Sequence, residues 1–172
     1  MALNLIDFQR DLIARLQKAT AQDAAATKLG FHAGGQAWLA DLGDVAEVLP
    51  LPPIVPVPLT RAWFRGVANI RGGLYGVIDF GAYCGGTPVA DTLQTRLVLL
   101  RGAAKFGLAV DRLAGICHME RFKLEPVERA GYVAAEYSDE AGIRWKQLDL
   151  KTLGADPALS SIAAQTQNAV VA

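Results

Sequence analysis

Along residues 4 to 27 the apolar positions fall at helical spacing. Leu5, Phe8, Leu12, Leu16 and Ala19 recur at steps of three and four, which draws one apolar stripe. Asn4 can cap such a helix, and Asp7 sits in its first turn, where the helix dipole favours a carboxylate. The stripe fades at Asp23, which falls where the next apolar residue would sit, and Gly30 is expected to end the element. From Gly30 onward the period shortens. Strand-like runs flank Gly34-Gly35, Gly72-Gly73, Gly102-Ala103-Ala104 and the stretch from Asp139 to Gly142, which predicts four hairpins. Spacing this regular suggests a barrel or a sandwich. Between the first two hairpins, Pro50 to Pro58 holds five prolines, so this stretch is an extended connector and neither a helix nor a central strand.

The pattern repeats within the chain. LYGVIDFGAY and RWKQLDLKTL align at an offset of seventy, matching Tyr75 with Trp145, Ile78 with Leu148 and Asp79 with Asp149. WLADLGDVAEV and FGLAVDRLAGI align at sixty-eight, matching Trp38 with Phe106, Val45 with Leu113 and Val48 with Ile116. The order of the blocks is kept, so the simplest reading is two similar five-stranded units in one chain. Each is too small to bury much alone, so their interface is expected to be apolar around Val45, Val48, Leu113 and Ile116. Asp79 and Asp149, at equivalent places, read as caps for the short turns that follow them.

The hairpin VANIRGGLYGVIDF contains Asn69 and Arg71 inside a strand-like run. A turn at Gly72-Gly73 would set Arg71 opposite Leu74, Ile70 opposite Tyr75 and Asn69 opposite Gly76. One face would then carry Ala68, Ile70, Tyr75 and Val77, all core. The other would carry Asn69, Arg71, Leu74 and Gly76, with bare backbone at Gly76 open to close approach. On this reading Arg71 points away from the core.

Composition and charge narrow the function. The 172 residues carry no net charge and are 52% hydrophobic, which favours a packed domain over a chain that grips a phosphate backbone. The N-terminus does not read as a signal peptide, and no apolar run is long enough to span a bilayer, so no direct membrane insertion is expected. Cys84 and Cys117 form no disulfide framework and fit a reducing cytoplasm. Nucleophile elbow, Walker loop and His-Glu-x-x-His are missing, so no catalytic residue and no cofactor is assigned, and the chain does not read as an enzyme. Cys117-His118-Met119-Glu120 packs several potential metal ligands. Strand neighbours point to opposite faces, so this reads as a buried cysteine beside a surface histidine, and no metal site is assigned.

One local asymmetry remains. No acidic residue lies between Glu47 and Asp79, while Arg61, Arg65 and Arg71 all do. Trp63 and Phe64 sit among them and read equally well as core or as a binding hot spot. Arg61, Arg65, Asn69, Arg71 and Gly72 are therefore the candidate partner-binding residues. An acidic partner surface fits them. The competing reading is a barrel-type RNA-binding or small-ligand-binding module, against which the zero net charge stands.

The run Gly66, Val67, Asn69, Arg71, Gly72, Val77, Asp79, Phe80, entered through Pro56 and Pro58, resembles the CheW-like adaptor family of bacterial chemosensory systems. LGDVAEVLPLPPIVPVP and KFGLAVDRLAGI resemble family segments as well. The resemblance covers roughly residues 30 to 155. It implies a mostly β fold of two intertwined five-stranded SH3-like barrels, with an N-terminal α-helix and short connecting helices. Residues 1 to 29 would form the helical extension, and 30 to 172 the CheW-like domain with a short tail. The resemblance further implies a non-catalytic adaptor. Its partners would be the regulatory domain of a CheA-type histidine kinase and the cytoplasmic tip of a methyl-accepting chemoreceptor, with no nucleic acid. The protein would be cytoplasmic and recruited to membrane-associated receptor arrays. The long N-terminal helix is similar to the variants that serve type IV pilus (twitching) pathways. Gly76 and Phe80-Gly81 depart from the family's usual proline before the strand and Leu-Arg after the aspartate.

Overall fold

The computed structural model describes residues 26–102 and 105–162. The strands are β1 (Thr27–Ala33), β2 (Gln36–Asp41), β3 (Val45–Pro50), β4 (Phe64–Ile70), β5 (Gly73–Asp79), β6 (Arg96–Leu100), β7 (Phe106–Val110), β8 (Arg112–His118), β9 (Lys123–Glu125), β10 (Val133–Ser138) and β11 (Arg144–Leu148). Three short helices complete the described elements: α1 (Phe80–Tyr83), α2 (Leu150–Gly154) and α3 (Pro157–Ser160). Two 3-10 turns follow β2 and β8.

The strands form two sheets. One runs β8-β1-β2-β11-β10-β9 and the other β3-β6-β7-β5-β4. The first has a strand more than the expected five, because β9 pairs along β10. The internal repeat explains the order. By the repeat, β6, β7 and β8 correspond to β1, β2 and β3, and β10 and β11 to β4 and β5. Each sheet joins the hairpin of one repeat to strands of the other, through the parallel pairs β2–β11 and β7–β5. The two halves are thus intertwined, and neither can be removed without opening both sheets.

The main core lies where the halves meet. Phe31, Trp38, Ile78, Phe80, Leu108, Val110, Leu148 and Leu153 are buried in one cluster drawn from both repeats. Val45 belongs to it, and Val48 and Leu113 pack against it. Ile116 does not: it is 53% exposed. A smaller cluster of Ala68, Val77, Val89, Leu97, Leu99 and Ala109 backs the five-stranded sheet, and Ala37, Leu39 and Trp145 back the six-stranded one.

Both expected caps form. The Asp79 carboxylate accepts from the backbone N–H of Ala82 and of Val89, and Asp149 accepts from Lys151 and Thr152. The proline connector lies along the outer edge of β4, where Val55 and Val67 exchange both backbone hydrogen bonds at 2.8 and 2.9 Å. Gly66 allows this approach. It has φ 130, and a Cβ there would fall 2.1 Å from the Val55 carbonyl oxygen. The connector covers an edge that would otherwise invite strand addition.

Most of the helix expected over 4 to 27 lies outside the described residues. Ala26 is helical and Thr27 opens β1. Gly30 is therefore not a helix stop. It sits inside β1, where a Cβ would crowd the Cys117 Sγ at 2.6 Å.

Candidate partner-binding site

The β4–β5 hairpin turns one residue earlier than its glycine pair suggests. Ile70 pairs with Gly73, so the two turn residues are Arg71 and Gly72. Their φ angles are 50 and 81, the left-handed pair of a type I′ turn. The Asn69 Oδ1 accepts from the Gly72 N–H at 2.9 Å and holds this arrangement. Moving the turn by one residue shifts the cross-strand pairing by two, so no side chain changes face. Ala68 now faces Tyr75, and Asn69 faces Leu74. Ala68, Ile70, Tyr75 and Val77 still make the core face. Gly76 lies opposite Val67, and the close approach there is made by the protein's own Phe64 and Phe106 rings.

Arg71 does point outward. Its side chain is 79% exposed, and its Nη2 donates to the Glu47 Oε1 at 2.7 Å. Glu47 belongs to β3, and β3 and β4 are the two outer strands of the five-stranded sheet. The sheet therefore curls far enough for a side chain of the β4–β5 turn to reach the opposite outer strand, β3. A non-glycine residue with positive φ is uncommon, and at the first position of a type I′ turn Asn, Asp or Gly is preferred. Arginine is held there against its own backbone preference, with Asn69 locking the turn below it and Glu47 fixing the guanidinium above.

The other two arginines are elsewhere. Arg65, half-buried, bonds to Asp91. Its second guanidinium nitrogen, Nη1, is buried with no partner among the described residues. It lies along a groove of about 770 Å³ formed by the proline connector and the Asp91–Leu93 loop. Arg65, near the start of β4, and Arg71, in the turn beyond its end, are six residues apart, roughly 20 Å of extended chain. Arg61 is tied to the end of the described chain: its backbone N–H donates to the Ile162 carbonyl at 2.9 Å and its Nε to that of Ser161 at 3.4 Å. The structure thus brings Asn69, Arg71 and Gly72 together and leaves Arg61 and Arg65 apart.

The expected positive patch is corrected in two further ways. Glu47 and Asp91 come from elsewhere in the chain and neutralise Arg71 and Arg65. Phe64 is buried, and Trp63 packs edge-on against Tyr83 with ring centroids 5.0 Å apart, so both aromatics serve the core. Sequence reasoning missed Glu47 as part of the site. Its partner lies 24 residues further on, and only the curl of the sheet brings the two together. Leu74, opposite Asn69 and 60% exposed, adds an apolar contact to the same surface.

Among the described residues, no group of three or more His, Cys, Asp or Glu could hold a metal ion. Cys117 is half-buried and His118 exposed, on opposite faces of β8. No described helix is long and apolar enough to cross a membrane.

The likeness to known proteins is consistent with this geometry. A family model described as the CheW-like domain matches residues 28–158. Protein PilI of Pseudomonas aeruginosa is 34% identical over 107 residues, 59% of this chain and 60% of the relative. The chemotaxis protein CheW of Rhizobium meliloti is 25% identical over 99 residues, 57% of this chain and 64% of that one. The chain thus spans less than two thirds of the length of either relative. The crystal structure of the scaffolding protein TtCheW from Thermoanaerobacter tengcongensis superposes with a TM-score of 0.62 at 19% identity, covering 72% of this chain and 88% of that one. At that identity the match concerns the fold. With the family model spanning β1 to α3, this chain belongs to the CheW-like domain family.

Proposed function

We propose that this chain is a non-catalytic adaptor that couples chemoreceptors to a CheA-type histidine kinase, in a pathway controlling type IV pilus motility. Family membership supports the adaptor role, and the PilI relative together with the twitching-type resemblance supports the pilus pathway. Its partners on this reading are the kinase regulatory domain and the receptor's cytoplasmic tip, reached from the cytoplasm at membrane-associated arrays. The observation that carries the reading is the Arg71 turn. Backbone held in a sparsely populated region, with its side chain presented to solvent on a rigid hairpin, marks a contact and not a fold-holding element. The paired arginines favour this over RNA binding, which needs free cations along a groove.

An adaptor of this kind works by rigid presentation. Arg71, Asn69 and Leu74 offer a charge, a polar group and an apolar side chain on one short hairpin, and Glu47 keeps the guanidinium from collapsing onto the sheet. Purified chain titrated with the regulatory domain of a CheA-type kinase should bind it, and Arg71→Glu should abolish most of that binding by inverting the charge at the contact. Unchanged affinity in Arg71→Glu, with the protein folded, would remove this hairpin from the interface. Strong, salt-dependent RNA binding would favour the competing module.

A further inference from the structure

We infer that the cleft between the β1–β2 turn, the Cys84–Gly86 loop and the β10–β11 hairpin binds a small aromatic carboxylate, with Lys146 as its counter-ion. The cleft measures about 230 Å³ and has three walls: Gly34 and Trp38 on one side, Cys84 and Gly86 on the second, Tyr132 and Lys146 on the third. That is room for about eight waters, at about 30 Å³ each, or for one ring with a small polar substituent. No residue of the β4–β5 hairpin lines it, so the inference stands apart from the adaptor reading.

Its floor is aromatic. Trp38 packs edge-on against Phe80 with centroids 4.9 Å apart, Tyr132 lies 6.3 Å from Trp38, and Tyr83 lies 5.8 Å from Tyr132. The Trp38 indole N–H donates to the Ala33 carbonyl at 3.3 Å, so the cleft meets its ring and not its polar edge. Over that ring lies the Lys146 ammonium, 5.8 Å from the centroid. Glu136 stands directly across from Lys146 in the β10–β11 pair, yet the two form no ion pair, and Lys146 makes none with any other described residue. No carboxylate of the described residues lines the cleft. A half-buried ammonium without a carboxylate carries a desolvation cost that a bound anion offsets.

The donors present set the class of anion. The Gly85 and Gly86 N–H groups donate to the Ala82 and Gly81 carbonyls, and the Gly34 N–H donates to the Asp111 carboxylate, so these glycines have no amide left to wrap a phosphate. What remains is one ammonium, the Gln36 amide, and the Tyr132 hydroxyl with the Cys84 thiol in hydrogen-bonding reach of it. One cation with neutral donors suits a single carboxylate, and the aromatic floor suits a flat ring behind it.

Benzoate is the probe, followed through the three indole N–H signals of the nitrogen-15-labelled full-length chain. Benzoate should move the Trp38 signal saturably, with a Kd of about 1 mM or tighter, and leave Trp63 and Trp145 in place. Acetate, which lacks the ring, and benzyl alcohol, which lacks the charge, should each bind roughly tenfold more weakly or worse. Lys146→Met keeps the alkyl stem and should weaken benzoate binding by roughly tenfold or more. The three probes compared on the parent protein decide the matter even where that variant does not fold. The assignment is overturned by no saturable movement of Trp38, by all three indoles moving alike, by acetate or benzyl alcohol binding as well as benzoate, or by undiminished binding in folded Lys146→Met.

Discussion

The two repeats place a hairpin turn at the same position and use it for opposite purposes. In the first, Arg71-Gly72 is a two-residue turn whose charged side chain faces solvent and meets Glu47 across the curled sheet. In the second, residues 139–143 form a longer loop whose charged side chain turns inward. Asp139 accepts from the backbone N–H of Ala141 and Ile143 and, through its other oxygen, from the indole N–H of Trp145, each at 2.9 Å. Trp145 is buried in the small cluster beneath. Both hairpins seat an aromatic in their own core cluster, Tyr75 in one and Trp145 in the other. The difference is which side of the turn the charge serves. The second turn spends its carboxylate on folding. The first presents its guanidinium, paired with Glu47, to solvent where a partner can reach it.

This contrast can be broken, and the largest effect is expected in the second turn. Asp139→Ala removes three hydrogen bonds to a charged acceptor and orphans the Trp145 N–H. It should cost about 2 to 3 kcal/mol in chemical denaturation and leave partner affinity of the folded protein unchanged. In the first turn, Arg71→Ala should weaken kinase or receptor binding roughly tenfold or more, about 1.4 kcal/mol per factor of ten, with little change in melting temperature. The Glu47 ion pair does not alter that expectation, because exposed pairs contribute at most about 1 kcal/mol. Asn69→Ala deletes one exposed hydrogen bond to Gly72 and should cost about 0.5 to 1 kcal/mol of stability, with a loosening of the turn that binding also reports.

The smallest expected effect concerns pH. At Asp139, partial desolvation favours the neutral acid, but the Trp145 indole and the Ile143 and Ala141 amides outweigh it and lower the carboxyl's pKa. Asp149 is lowered by the Thr152 amide and hydroxyl, against some desolvation. A carboxyl depressed on folding adds stability that is fully present above its unfolded pKa, about 3.9, and is lost as pH falls through the folded value. Melting temperature should therefore drop below about pH 4, and Asp139→Asn should flatten that drop. A slope equal to that of the parent protein would separate Asp139 from acid unfolding.

Much of the fold was legible because it repeats. Glycine turns at Gly34-Gly35 and after Leu100, the caps at Asp79 and Asp149, and the two-unit organisation all follow from local pattern. The exchange of hairpins between units does not follow from local pattern, since no spacing in the chain distinguishes β2 pairing with β11 from β2 pairing within its own repeat; only the family resemblance implied that the two units intertwine. At the site, Asn69, Arg71 and Gly72 were readable as a group, and the turn was misplaced by one residue. Two adjacent glycines attract a turn by propensity. The Asn69 side chain, which bonds the Gly72 N–H, instead selects the position that puts an arginine at positive φ. Arg61 and Arg65 lie apart from that group, which charge density along the chain could not tell: it ignores the acid that folding brings in at Asp91 and the backbone carbonyls at Ser161 and Ile162.

Arg71→Gly bears most directly on the claim that the first turn exists for contact. Glycine suits positive φ, so this substitution removes the guanidinium and relaxes the turn in the same step. With melting curves and kinase titrations run on the same preparations, the account predicts a melting temperature equal to or above that of the parent protein. It also predicts an affinity lower by roughly tenfold or more. A lower melting temperature, with affinity falling only as far as the folded fraction falls, would make Arg71 a structural residue and contradict the account.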